Sequence, residues 1–176
     1  AAMGMFFICP SAFAEGHRVA PPVIRVAITV DDLPAENQNL GEYTKVEAID
    51  GLIQVLQKYR VPGPIGFANG YTEDEGSDFY RAALRRWLDA GFVFGNHTYA
   101  HSSMSGTTRG QFERDVTKMD GLFDSLAAEW GRSFPHRYFR YPYLDEGSTR
   151  AKKAQMRQFL RSLNYTITEV TTHYTD

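Results

Sequence analysis

The stretch "VIRVAITV", residues 23–30, is almost continuously apolar and dominated by β-branched side chains. A strand with one face in water alternates apolar and polar residues, so an unbroken run reads as a strand covered on both faces. Double coverage is the condition of a parallel sheet wrapped by helices. The rest of the chain has that rhythm. A helical period within residues 43–59 puts Val46, Ile49, Ile53 and Leu56 on one face. "PIGFAN" (64–69) reads as a second strand closed by an Asn-Gly turn. Ser77 or Asp78 caps the next helix, whose apolar stripe is Tyr80, Ala83, Leu84, Trp87 and Leu88 and which stops at Gly91. "FVFGN" is a third strand, and Phe112, Val116, Met119, Phe123 and Leu126 trace a long amphipathic helix. "RYFRY" is a fourth strand, Met156, Phe159, Leu160 and Leu163 mark another helix, and "YTITEV" is a fifth strand. Strands alternating with helices through short Gly/Pro/Asn-rich connections predict a parallel α/β architecture.

At 176 residues the chain has the length of one domain. Its 43% hydrophobic and 23% charged residues are ordinary for a globular protein. A formal net charge of -2 leaves no basic excess to neutralise phosphates, which argues against nucleic acid as the partner. The N-terminal "AAMGMFFICPSAFAEG" is a short apolar run ending in small residues at Ala12 and Ala14. It fits the end of a secretory signal cleaved after Ala14, although the basic start of such signals is missing; a plain N-terminal tail is the alternative. Residues 1–14 are therefore expected to be a signal remnant, residues 15–176 the domain, and the protein secreted or periplasmic. The run is too short to span a membrane. The only cysteine, Cys9, lies within it, so a processed chain has no thiol chemistry. Nothing in the sequence points to an oligomeric state.

In parallel α/β folds, sites gather at the C-terminal ends of strands. Three polar clusters stand there: "TVDDLP" with Asp31 and Asp32, "NHTYAH" with His97 and His101, and "RYPYLDEG" with Arg140 and Tyr143. An i, i+4 histidine pair places both rings on one side of a helical turn, able to meet one ion. Alone it is weak, because capping or surface histidines share the spacing. Adjacent carboxylates repel and call for positive charge nearby. A cation held by Asp32 and both histidines supplies it, and two histidines with one carboxylate leave coordination positions open, the catalytic pattern for zinc. Asp31 is then free to accept a proton. The alternative is that the aspartates only shape the turn into "LPAEN". Arg140 ends an apolar strand, where a carboxylate partner is expected, either Asp31 or Asp32; otherwise it is a solvated arginine.

"TVDD", "HTYAH" and "RYPY", in this order, resemble the polysaccharide deacetylases, the family four carbohydrate esterases, over about residues 23–176. The resemblance implies a distorted (β/α) barrel with fewer than eight repeats and a divalent transition metal, usually zinc. By position, Asp32, His97 and His101 would be the metal ligands and Asp31 the catalytic base, held by Arg140. The backbone N–H of Tyr143 would help bind the oxyanion, and Tyr141 and Pro142 would wall the groove. The implied reaction is hydrolysis of an N-acetyl, or else O-acetyl, group on a glycan such as a chitin oligomer or peptidoglycan. Two departures stand out. Leu33–Pro34 follow the aspartate pair where the family has glycine, a subgroup difference. At the end, "THYTD" puts Asp176 in place of the aspartate that orients the general acid, while the acid histidine itself is missing. The chain thus reads as C-terminally truncated, and a non-catalytic glycan binder or inactive remnant is the alternative function. A two-histidine, one-carboxylate iron oxygenase is disfavoured, because such sites belong to jelly rolls. "TEDEGSD" reads as an acidic helix entry, Lys153, Arg157 and Arg161 as a solvated stripe, and His17 and His136 have no partner in sequence.

Overall fold

Among the described residues, five strands and four α-helices alternate: β1 (Thr29–Leu33), α1 (Lys45–Lys58), β2 (Ile65–Ala68), α2 (Ser77–Asp89), β3 (Val93–Asn96), α3 (Arg109–Glu129), β4 (Tyr138–Phe139), α4 (Arg150–Ser162) and β5 (Thr166–Ile167). They are seen in a computed structural model that describes residues 25–35, 44–70 and 77–172. The expected signal segment, most of the acidic loop before α2, His173 and Asp176 lie outside the described residues.

The strands are parallel and ordered β1-β2-β3-β4-β5. Each crossover steps the same way, and with the usual right-handed sense every helix lands on one face of the sheet. The other face curls inward, as in a barrel. Side chains report the two faces. Phe94 stacks on Phe123 of α3 with ring centroids 5.6 Å apart, on the helix side. Its neighbour Gly95 faces Phe67 on the inner side. Gly66 faces outward where there is no room for a side chain: a Cβ there would lie 2.0 Å from Leu33 Cδ1 and 2.9 Å from Trp87.

The helical stripes fall where their period puts them. Tyr80, Ala83, Leu84 and Trp87 of α2 and Phe112, Val116, Met119, Phe123 and Leu126 of α3 are fully buried. One apolar cluster joins β1–β3 to α1–α3, and a second joins β4 and β5 to α3 and α4 around Phe139, Met156 and Leu160. Helices α1 and α3 start at capping boxes, Thr44 with Glu47 and Thr108 with Gln111. Each box satisfies two orphan amides of the first turn.

The first strand is displaced from its expected position. Residues 25–28 lie outside β1, with Val26 72% and Ile28 41% exposed. The strand instead takes in the polar residues Thr29, Asp31 and Asp32. Strand pairing, not apolarity, sets its limits: Thr29 pairs with Ile65, and Leu33 with Ala68.

Candidate metal centre

The ladder between β1 and β2 skips. Val30 pairs with Gly66 and Leu33 with Ala68, three residues on one strand against two on the other. This is a β-bulge, and the extra residue is accommodated at Asp32, whose φ is 61°. Thr29 and Asp31 alternate inward as a regular strand requires. Leu33 stays in the helix-side core. Asp32, freed from the ladder, joins Asp31 at the inner rim.

The loop after β3 converges on the same point. His97 is 2% exposed, and its Nδ1 lies 2.9 Å from the Arg140 carbonyl oxygen. A carbonyl only accepts, so Nδ1 carries the proton and Nε2 presents its lone pair, the form that binds a metal. That Nε2 lies 3.7 Å from Asp32 Oδ1, and His101 Nε2 lies 3.0 Å from the same oxygen. The ligand atoms of Asp32, His97 and His101 all fall within 4.8 Å of one another. Burial is the largest influence on His97 and lowers its pKa, against the nearby aspartates that act to raise it. For Asp32 burial acts upward, but His101, His97 and Asn69 outweigh it and hold the carboxyl below its ordinary value. An ionised carboxylate and a neutral imidazole aimed at one point, in a partly buried setting, is a donor set that fits a divalent cation of the zinc type.

The histidines do not converge through a helical turn. Residues 97–103 are irregular, and Thr98 and His101 have φ of 63° and 52°. The loop is tied down instead. The Thr98 N–H donates to Asn96 Oδ1 at 2.8 Å, the Tyr99 N–H to the Asp115 carbonyl at 3.2 Å, and the Ala100 N–H to Asp115 Oδ1 at 2.8 Å. Asn96 is anchored in turn, its Nδ2 donating to the Val116 carbonyl and to the Tyr165 hydroxyl.

Arg140 organises the other half of the site. Its side chain is 3% exposed, and Nη1 donates to Thr29 Oγ1 and to Asp31 Oδ1, both at 2.7 Å. Two strands separate β4 from β1 in the sheet, so this reach is possible only because the sheet curls. The guanidinium lies over the Phe67 ring, 4.4 Å from its centroid, and Nε donates to the Thr168 carbonyl at 3.2 Å. Of the two partners the sequence left open, it takes Asp31. The two aspartates are thereby distinguished. Asp31 faces a guanidinium, whereas Asp32 faces two imidazoles and the neutral amide of Asn69.

Beyond Arg140 the chain makes a tight 3-10 turn over Pro142–Leu144, with Tyr143 and Leu144 at φ of 57° and 55°. The exposed Tyr143 ring packs 4.6 Å from that of His101. Tyr141 and Pro142, expected on a groove wall, are buried. The Tyr141 ring stacks on Phe112 and meets Phe139 edge-on, and its edge lines a cavity of about 200 Å³ with Arg140, Leu144 and Thr168. Burial raises the pKa of the Tyr141 phenol far above its usual range. The exposed ring beside His101 is that of Tyr143. Asp145 then fastens this turn to the histidine loop, accepting from Ser103 Oγ at 2.5 Å, the Ser105 N–H at 2.6 Å, Ser105 Oγ at 2.7 Å and the Gly147 N–H at 2.9 Å.

Backbone strain singles out the same place. Among the described residues, seven other than glycine have positive φ. Two, Arg60 and Asn164, follow the C-caps of α1 and α4, where a left-handed residue is usual. The other five are Asp32, Thr98, His101, Tyr143 and Leu144. Such conformations cost on the order of 1–3 kcal/mol each and cluster at functional sites.

The sequence profile of the polysaccharide deacetylases matches residues 18–168. The chain belongs to the polysaccharide deacetylase family. Comparison with curated protein sequences returns no match. Among solved structures, a family 4 carbohydrate esterase from Streptomyces lividans, in complex with acetate, is 20% identical with a TM-score of 0.55, over 81% of this chain and 60% of that one. The chitin deacetylase of the fungal pathogen Colletotrichum lindemuthianum is 25% identical with a TM-score of 0.55, over 80% and 53%. A family 4 pseudoenzyme from Bacillus anthracis is 16% identical with a TM-score of 0.56, over 80% and 41%. The fold is thus that of the deacetylase barrels, and the chain spans 41–60% of the length of these three structures.

Proposed function

We propose that this protein is a metal-dependent hydrolase that removes acetyl groups, N-linked in the first instance, from a glycan such as a chitin oligomer or peptidoglycan. The observation that carries the reading is the pairing of Asp31 with Arg140 directly beside the Asp32, His97 and His101 donor set. Those three side chains would hold the cation, with zinc the proposed metal. When bound, it would polarise the acetyl carbonyl and acidify water at the site.

This chain's own residues supply the base, its orientation and an oxyanion donor. Asp31 takes the proton of the attacking water on its carboxylate, and Arg140 fixes the orientation of that carboxylate through Nη1. The Tyr143 N–H, on the strained turn beside His101, is assigned to the developing oxyanion. Asp176 is assigned to orienting the acid that protonates the leaving amine.

Acetate release from an N-acetylglucosamine oligomer, with metal content determined on the same zinc-loaded sample, tests the proposal. Activity should stop with a chelator and return with zinc, and Asp31→Asn should keep stoichiometric zinc while acetate release disappears. Full activity in Asp31→Asn removes Asp31 from the base role, and absence of bound zinc removes the metal reading. A second reading is a glycan-binding protein without turnover, favoured by the equal fold likeness to a pseudoenzyme. Sugar binding with stoichiometric zinc and no acetate is its signature.

A further inference from the structure

Asn69 closes β2 and is 1% exposed. Its main chain is fixed on both sides: the N–H points to the Leu33 carbonyl at 3.4 Å, and the carbonyl accepts the hydroxyl of the fully buried Tyr80 at 2.8 Å. Its side-chain Nδ2 donates to Asp32 Oδ1 at 2.9 Å, the oxygen that faces both histidines. Buried amides are almost always hydrogen-bonded, and this one is spent on a carboxylate 37 residues away in sequence.

We propose that Asn69 is a positioning residue for Asp32 that sets the affinity of the triad for a divalent cation; this rests on the metal reading above. Asp32 lies on a bulge with its side chain 30% exposed, so the β1 ladder does not fix the direction of its carboxylate. Asn69 does so from a rigid, buried base. Its neutrality matters as much as its geometry. A lysine or arginine at this place would cancel the charge that draws the cation, as Arg140 does for Asp31, whereas an amide orients the carboxylate and leaves its charge available. Partners of this kind behind a metal ligand change affinity by about 10–100-fold when removed.

The test is competition titration of zinc against a chelator on the full chain, for wild type, Asn69→Leu, Asp32→Ala and the double variant. Asn69→Leu should weaken zinc binding by about 10–100-fold with near-UV circular dichroism unchanged. In the Asp32→Ala background the same change should have no further effect on residual binding, because Asn69 acts only through Asp32. If Asn69→Leu does not fold, Asn69→Ser, which loses the donor's reach without adding bulk, takes its place. Wild-type affinity in the Asn69 variant, or an equal loss in both backgrounds, overturns the inference and leaves the metal centre standing. Failure of the wild type to bind zinc takes the metal reading and this inference down together.

Discussion

Gly95→Ala is the sharpest test of how the site is supported. Gly95 of β3 faces the inner side of the sheet, where an added Cβ would lie 2.3 and 2.4 Å from Phe67 Cε1 and Cδ1 and 3.1 Å from the Tyr138 carbonyl oxygen. Carbon atoms settle at about 3.5–4.0 Å, so the ring must retreat by roughly 1 Å. It has nowhere to go: Phe67 is 0% exposed, carries the Arg140 guanidinium on its face, and has the His97 ring 6.2 Å away. Overpacking of this kind costs about 1–3 kcal/mol. For a chain of this size, 2 kcal/mol corresponds to a Tm lower by about 4–8 °C. The assay is urea unfolding of Gly95→Ala, Phe67→Leu and the double variant, since a leucine gives the new methyl room. The double variant should be more stable than the two single changes sum to, by about 1 kcal/mol or more. A Gly95→Ala loss below about 0.5 kcal/mol, or simple additivity, refutes the claim that Phe67 is a fixed platform under Arg140.

Gly121, in the middle of α3, is the converse case, because a Cβ there meets nothing within 4 Å. Gly121→Ala should stabilise the protein by up to about 1 kcal/mol, read as a higher urea midpoint at unchanged slope. Asp145 predicts a pH dependence. Burial works to raise its pKa, but the bonds from Ser103, Ser105 and Gly147 outweigh burial and hold it at about 2, against 3.8 unperturbed. A depressed carboxylate pKa stabilises the fold above the unfolded value and loses that contribution as pH falls through the folded one. Asp145→Ala should therefore lower Tm at pH 6, and the gap to wild type should close between about pH 4 and pH 2. A gap independent of pH over that range would show that the loop clamp contributes nothing through its charge.

The helices were legible because burial there follows one rule. Tyr80, Leu84 and Trp87, or Phe112, Val116 and Met119, repeat at helical spacing and are buried to the last residue. Strand β1 was not, because its inner face is a site rather than a core: Thr29 and Asp31 point into it, while the apolar Val26 and Ile28 precede the strand and are exposed. The histidine pair was legible as a pair and misread as a helical turn. Its geometry comes from left-handed Thr98 and His101, held by the neighbouring Asn96 and by Asp115 of α3. Asn69 reads in sequence only as half of an Asn-Gly turn, and Asn96 only as the end of a strand, for a related reason. An asparagine at a strand end resembles a turn residue, and only the fold shows what its amide meets. The capping boxes at Thr44 and Thr108 could have been read directly, as a threonine followed three places on by Glu47 or Gln111.

The skip in the β1–β2 ladder sets regularity of the sheet against chemistry. With Asp32 deleted, Val30 and Leu33 would pair with Gly66 and Ala68 at even spacing, the left-handed residue would vanish, and Leu33 would keep its place in the core. Only one carboxylate would then face the rim. Two adjacent residues of a regular strand point to opposite sides, so no ideal ladder can present Asp31 and Asp32 together. Selection for stability alone would tend to close that gap, and selection for two carboxylates with separate partners would keep it open.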